Sequence, residues 1–176
     1  LARHREEPKV LWAIGRSPLR VVCHLLRRSG LEADRFPNCG AHLAQLMSRF
    51  RNLRHAIAVD PLSPATALNS LALYGGEQER MAVAKNIGTP RELLSNLADS
   101  PYRDIRKATA SNIQLAGDII EKLSRDDWTG VKWEIARNPA TPARVLEQLS
   151  ESGEVTILLA VAQNRATPPI VLAEMA

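Results

Sequence analysis

Asp60, Asn86, Asn112, Asn138 and Asn164 stand 26 residues apart, and no insertion breaks the interval. The same interval carries Pro64, Pro90, Ala116, Pro142 and Pro168, and two aliphatic columns: Leu68, Leu94, Ile120, Leu146 and Leu172, then Leu71, Leu97, Leu123, Leu149 and Met175. A fifth column is all alanine: Ala58, Ala84, Ala110, Ala136 and Ala162. Such a period is the signature of a repeat array, in which one small unit recurs and buries its apolar face against its neighbours. Ordering a residue costs on the order of 1–2 kcal/mol in backbone entropy, and each buried aliphatic anchor returns about 1.5–3 kcal/mol. A unit of 26 residues with a handful of anchors cannot hold itself together, so the units must stack.

Within the unit, Ser63, Thr89, Thr141 and Thr167 each precede a proline, or the Pro168-Pro169 pair, and read as N-caps, with proline at the first helical position. Thr89-Pro90-Arg91-Glu92 adds the acidic residue that completes a capping box. The two leucine columns, four and seven residues after the proline, then share one face of a helix of about nine residues. A break follows at Gly75, Pro101 and Gly153, with Gly130 a little later in its own copy. A second helical segment comes next, at residues 79–84, 105–110, 131–136 and 157–162, with its first, fifth and sixth positions mostly apolar. Taken alone, Val155 to Leu159 suits a buried strand, but register with the other copies predicts a helix. The asparagines fall in the link to the next helix, where a short amide bonds to nearby backbone or tolerates a left-handed conformation. Towards the amino terminus the pattern fades: Pro18 leads to Val22 and Leu25, and Cys39 to Leu43 and Leu46, at spacings of 21 and 25. About seven units result, an irregular region over 1–34 and a regular one over 35–176.

Asn138-Pro139-Ala140-Thr141-Pro142, the Leu146 and Leu149 pair, and Val131-Lys132 with Ile135-Ala136 resemble the leucine-rich repeat variant family. The resemblance covers roughly residues 35–176 and departs at Leu115-Ala116, where the cap is lost, and at Leu158, where a basic residue is usual. It implies an all-α fold, a right-handed superhelical solenoid of two-helix repeats, each an α-helix with a short α or 3-10 helix. Some members carry a four-iron, four-sulfur cluster in a cysteine-rich segment before the repeats. This chain offers Cys23 and Cys39 alone, so no cofactor is expected here, and a cluster would belong to a longer parent chain. A start at Leu1 and an end partway through a unit carry the same expectation of a longer parent, or of paired ends.

Only 4% of the residues are aromatic against 45% apolar overall, which suits thin layers of stacked helices. No apolar run long enough for a membrane span and no leader peptide is visible, and two cysteines fit a reducing compartment, so the expected location is cytoplasmic. Residues 1–60 hold 11 Lys+Arg against 5 Asp+Glu, a net of +6, and the remainder nets −2. Basic character gathered at one end attracts an acidic partner or a phosphate backbone without choosing between them. The column Arg54, Arg80, Arg106 and Lys132 places one cation on each unit, as a stripe that tracks phosphates or as side chains bonded within the stack. Asp and Glu nearby, and few aromatics, favour the second role.

Cys23, His24, Cys39, His42 and His55 are residue types that zinc accepts, but none has tight ligand spacing; Cys23 and Cys39 sit in packing registers, and no metal is expected. Trp133 falls beside apolar columns and is predicted half-buried, whereas Trp128, after Asp126-Asp127, is predicted at the surface. Trp12 has no comparable context. Trp128, an Asp and nearby cations admit one enzyme reading, a helical-repeat DNA glycosylase. No glycine-rich phosphate loop, metalloprotease helix or nucleophile elbow is present. The expected function is non-catalytic: a scaffold for a macromolecular partner, expected to be a protein. The alternative is nucleic-acid binding through the basic amino-terminal third.

Overall fold

The computed structural model describes residues 51–175, and every regular element among them is helical. Ten helices follow in order: α1 Arg51–Val59, α2 Ala65–Tyr74, α3 Glu77–Lys85, α4 Arg91–Ala98, α5 Arg103–Ala110, α6 Gly117–Leu123, α7 Thr129–Arg137, α8 Ala143–Ser150, α9 Val155–Gln163 and α10 Pro169–Glu174. The region 1–34, Cys23, Cys39, His24, His42, Trp12 and most of the basic third lie outside the described residues. None of the described helices is long and apolar enough to cross a membrane.

The aliphatic columns explain why these short segments are helices. In α4, Leu93, Leu94, Leu97 and Ala98 are buried on one face while Arg91, Glu92 and Asn96 face water. The same division places Val145, Leu146 and Leu149 inside α8, and Ile157, Ala160 and Val161 inside α9. The segment that taken alone suits a strand is therefore a helix. Helices of six to ten residues are too short to be stable alone, so packing must supply what propensity does not.

Packing follows two rows. The odd-numbered helices contact one another in chain order, α1 to α3, α3 to α5, α5 to α7 and α7 to α9, while α2 packs on α4 and α4 on α6. Between the rows the aliphatic core forms two clusters, and α4 contributes to both: Leu93 and Leu97 join Leu68, Leu71 and Val83 in one, and Leu94 and Ala98 join Ile119, Ile120 and Leu123 in the other. Ala58, Ala84, Ala110 and Ala136 have no exposed surface at all. Ala162 and Leu172, in the last copies of their columns, are exposed.

What joins one helix pair to the next is the asparagine column. The Nδ2 of Asn112 donates to Ala84 O at 2.8 Å and to Asn86 O at 2.9 Å, while its Oδ1 accepts from the amide of Gln114 at 2.8 Å. Asn86 bonds in the same way to Ala58 O, Asp60 O and the amide of Gly88. Asn138 repeats it on Ala110 O, Asn112 O and the amide of Ala140, and Asn164 on Ala136 O, Asn138 O and the amide of Ala166. Each amide thus closes a local turn with its oxygen and reaches 26 and 28 residues back with its nitrogen. The local bond was legible from the sequence. The left-handed alternative is not used: Asn86, Asn138 and Asn164 sit at φ of −70°, −69° and −79°. Asp60, at the head of the column, keeps the acceptor half by accepting from Leu62 N, but a carboxylate has no N–H to donate.

The hydroxyl column corrects a local expectation. No side-chain cap bond forms at the start of α2, α4, α8 or α10, and Glu92 completes no capping box. Ser63, Thr89, Thr141 and Thr167 instead donate backwards, six residues up the chain, to Ile57 O, Val83 O, Ile135 O and Val161 O. They bond carbonyls in the last turn of the preceding helix, three of which also accept a backbone amide, because the turn folds the hydroxyl back over it. Pro64, Pro90, Pro142 and Pro168 occupy the cap position itself, at φ near −60° and ψ of 141° to 148°; in the last copy the following Pro169 takes the first helical turn. Gly130 lies inside the first turn of α7 and does not mark a break.

Asn138→Ala removes both long-range donors, leaving Ala110 O without that bond and Asn112 O with the amide of Leu115 at 3.4 Å, a loss of about 2–3 kcal/mol. Thr141→Val is expected to cost less, about 1 kcal/mol, because Ile135 O keeps the bond from the Asn138 amide at 3.1 Å. Urea unfolding of the two variants measures both; a cost for Asn138→Ala below about 0.5 kcal/mol, the range of ordinary surface changes, would contradict this role.

Candidate functional site

The basic column lands in the joints between helices. Arg80 donates from Nε to Gly75 O at 3.1 Å and from Nη2 to Leu73 O at 3.2 Å, closing the end of α2. Arg106 grips Asp126 with two bonds of 2.6 and 3.0 Å, and also reaches Ser100 O at 3.0 Å and Asp127 at 3.3 Å. Arg54 lies 3.7 Å from the buried Glu79, and its Nε is buried without a hydrogen-bond partner among the described residues. Lys132 is half-buried and forms no ion pair among them. Arg80 and Arg106 thus turn their donors inward and fix how the two rows meet, so the column does not read as one stripe of cations.

A different set of cations gathers on the outside of the odd-numbered row. Arg103, on α5, lies 5.0 Å from the centroid of the Trp128 ring, and Lys107, one turn on, is 5.7 Å from the same ring and 5.8 Å from Trp133. Arg137, on α7, lies 4.5 Å from Trp133. The five side chains form one continuous line, Arg103, Trp128, Lys107, Trp133 and Arg137, across the α5–α7 boundary. Both rings also pack against the aliphatic core, which holds them still. Trp133 is half-buried, as its register predicts, but so is Trp128, whose surface placement is corrected: its ring folds over Gly130, where a Cβ would come within 3.0 Å. Each such contact contributes about 0.5–1 kcal/mol when exposed and more when desolvated, and orients the cation as it does so.

The same face extends in both directions. Between α1 and α3 a groove of about 240 Å³ is lined by His55, Val59, Met81 and Lys85, among others. On α9, Val155 and Leu159 are 74% and 61% exposed. Position by position, His55, Met81, Lys107, Trp133 and Leu159 are one column at the 26-residue interval.

The two rows treat charge differently. In the even-numbered row each cation is paired: Arg91 with Asp118 at 2.9 Å, Arg144 with Glu121 at 2.6 Å, Arg125 with Glu121 at 3.1 Å, and Lys122 with Asp99. In the odd-numbered row Lys107 reaches Glu134 at 3.9 Å, but Lys85, Arg103 and Arg137 have no carboxylate within ion-pair distance among the described residues. Asp126, two residues before Trp128, is committed elsewhere: beyond its Arg106 bonds it accepts from the Trp128 amide at 2.9 Å, and the adjacent Asp127 is exposed and reaches Arg106 at 3.3 Å. His55 has no metal-binding cluster around it among the described residues. No protein-family model matches the chain, and no curated protein or solved structure does either.

Asp126 also supplies a pH test of the Arg106 joint. Burial pushes its carboxyl up, but the Arg106 hydrogen bonds, the Trp128 amide and the guanidinium charge outweigh this and hold it below the ordinary value of 3.8. A carboxyl whose folded value is depressed stabilises above its unfolded value and loses that contribution as pH falls through the folded one. The difference in unfolding free energy between the native chain and Asp126→Asn is therefore expected to be flat from about pH 8 to pH 5 and to shrink below about pH 4. A difference that grows on acidification would contradict the assignment.

Proposed function

We propose that this chain is a non-catalytic scaffold: a right-handed superhelical solenoid of 26-residue, two-helix repeats, of the leucine-rich repeat variant type, that holds a protein partner along the odd-numbered row. What supports the solenoid reading is the recurrence of one set of bonds, Asn to Ala and Asn to Asn or Asp, at 28 and 26 residues in four successive copies. The observation that carries the binding reading is the contrast in charge pairing. Among the described residues the even-numbered helices pair each of their cations, whereas the odd-numbered row pairs Arg54, Arg106 and Lys107 but leaves Lys85, Arg103 and Arg137 without a carboxylate, beside two tryptophans and exposed aliphatic side chains. A surface that mixes Arg, Trp and aliphatic groups in this way has the composition of a protein interface. The same reading places the protein in the cytoplasm.

Photo-crosslinking side chains placed at Lys85 or Leu159, in the odd-numbered row, and at Glu92 or Gln148, in the even-numbered row, test this in native cell extract. Discrete protein adducts are expected from the first pair alone. Equal adducts from both rows, adducts to nucleic acid, or none from either row would sink the proposal.

A further inference from the structure

We propose that the face of α5, α7 and α9 docks an acidic polypeptide segment lying in an extended, polyproline-II-like conformation, its carboxylates on Arg103, Lys107 and Arg137 and an aliphatic side chain on Val155 and Leu159. This rests on the scaffold reading and names the partner's chemistry. The guanidinium groups of Arg103 and Arg137 lie over indole rings that are themselves packed on the core, so each is oriented before a ligand arrives. A pre-oriented guanidinium offers a carboxylate its planar pair of N–H donors with less side-chain entropy to lose. Among the described residues no carboxylate pairs with either, as carboxylates do in the even-numbered row, and Lys107 reaches Glu134 only at 3.9 Å. An acidic partner completes the pairing.

Geometry sets the spacing. Packed helices lie about 8–10 Å apart, so successive odd-numbered helices present equivalent positions at that interval. A polyproline-II chain rises about 3.1 Å per residue with three residues per turn, which puts every third side chain on one side, about 9 Å from the last. One side chain then meets each helix: acidic at α5, acidic at α7, aliphatic at α9. A single-stranded nucleic acid fits less well. Bases need open aromatic faces to stack on, whereas Trp128 and Trp133 already carry cations and press on the core. Asp104 and Glu134 stand in the same helices as these cations and oppose a backbone charged at every nucleotide, while a peptide can space its carboxylates around them.

The test uses fluorescein-labelled peptides with the whole 176-residue chain: Glu-Pro-Pro-Glu-Pro-Pro-Leu and its reverse, a version with Gln for Glu, a version with Lys for Glu, and an oligothymidylate. Fluorescence anisotropy is expected to show binding of an acidic peptide in at least one direction, lost with Gln or Lys. R103Q/R137Q, with helical circular dichroism unchanged, is expected to weaken it about tenfold or more. No binding of either acidic peptide, equal binding of the Gln version, indifference to R103Q/R137Q, or tighter binding of oligothymidylate would overturn it. Should crosslinks from Lys85 and Leu159 persist while the acidic peptides fail, the partner's chemistry is wrong and the scaffold stands; should both fail, the scaffold goes too.

Discussion

A buried backbone carbonyl without a partner costs about as much as a core contact returns, and stacked short helices create such carbonyls at every link. The side-chain amides of Asn86, Asn112, Asn138 and Asn164 answer this in each copy, taking a carbonyl from the end of the previous odd-numbered helix and adding a bond to that of the previous column member, Asp60 or an asparagine, which also accepts from the amide three residues on. The second bond makes the column self-referential. The carbonyl of Asn86 is held by Asn112, and that of Asn112 by Asn138, so the position of each link is fixed by the one before it. No other side chain supplies two donors and an acceptor at this short reach; aspartate has no donor, and glutamine is a methylene too long.

The remaining features follow from holding the links in line. With the carbonyls of Ala58, Ala84, Ala110 and Ala136 each bonded to the asparagine of the next copy, the odd-numbered helices approach closely, and the methyl groups at those four positions are fully buried. Side chains 26 residues apart are then neighbours in space, so any property repeated at that interval becomes a property of a face. Arg80 and Arg106 use the regularity to seal helix ends, and Arg91, Asp118, Glu121 and Arg144 use it to knit one row together. Lys107 over Trp133, one copy on, is the same adjacency turned outward.

The period, the two aliphatic columns and the helical character of residues 155–163 were legible in the sequence, because each is a pattern of burial that a single chain displays. Roles that depend on the neighbouring copy were not. Thr89 before Pro90 has the local chemistry of a cap, and nothing in the sequence reveals that the carbonyl of Val83 lies closer than the amides ahead. The cations show a finer version of the problem. Arg106 and Lys107 are adjacent, but one residue turns a helix by about 100°, which sends the first into the joint and the second onto the face. The basic column picked out by spacing was thus one residue away from the cluster on the tryptophans. Arg103 and Arg137 share no column, and only the ring positions of Trp128 and Trp133 connect them.

Side-chain amide hydrogen exchange measured by NMR tests the central role of the asparagines most directly. The Nδ2 protons of Asn86, Asn112 and Asn138 are expected to exchange far more slowly than those of Asn69 and Asn96, which face water, with part-buried Asn164 between the two groups. Exchange of the four column residues at the rate of the exposed pair would mean that these bonds do not bind one helix pair to the next.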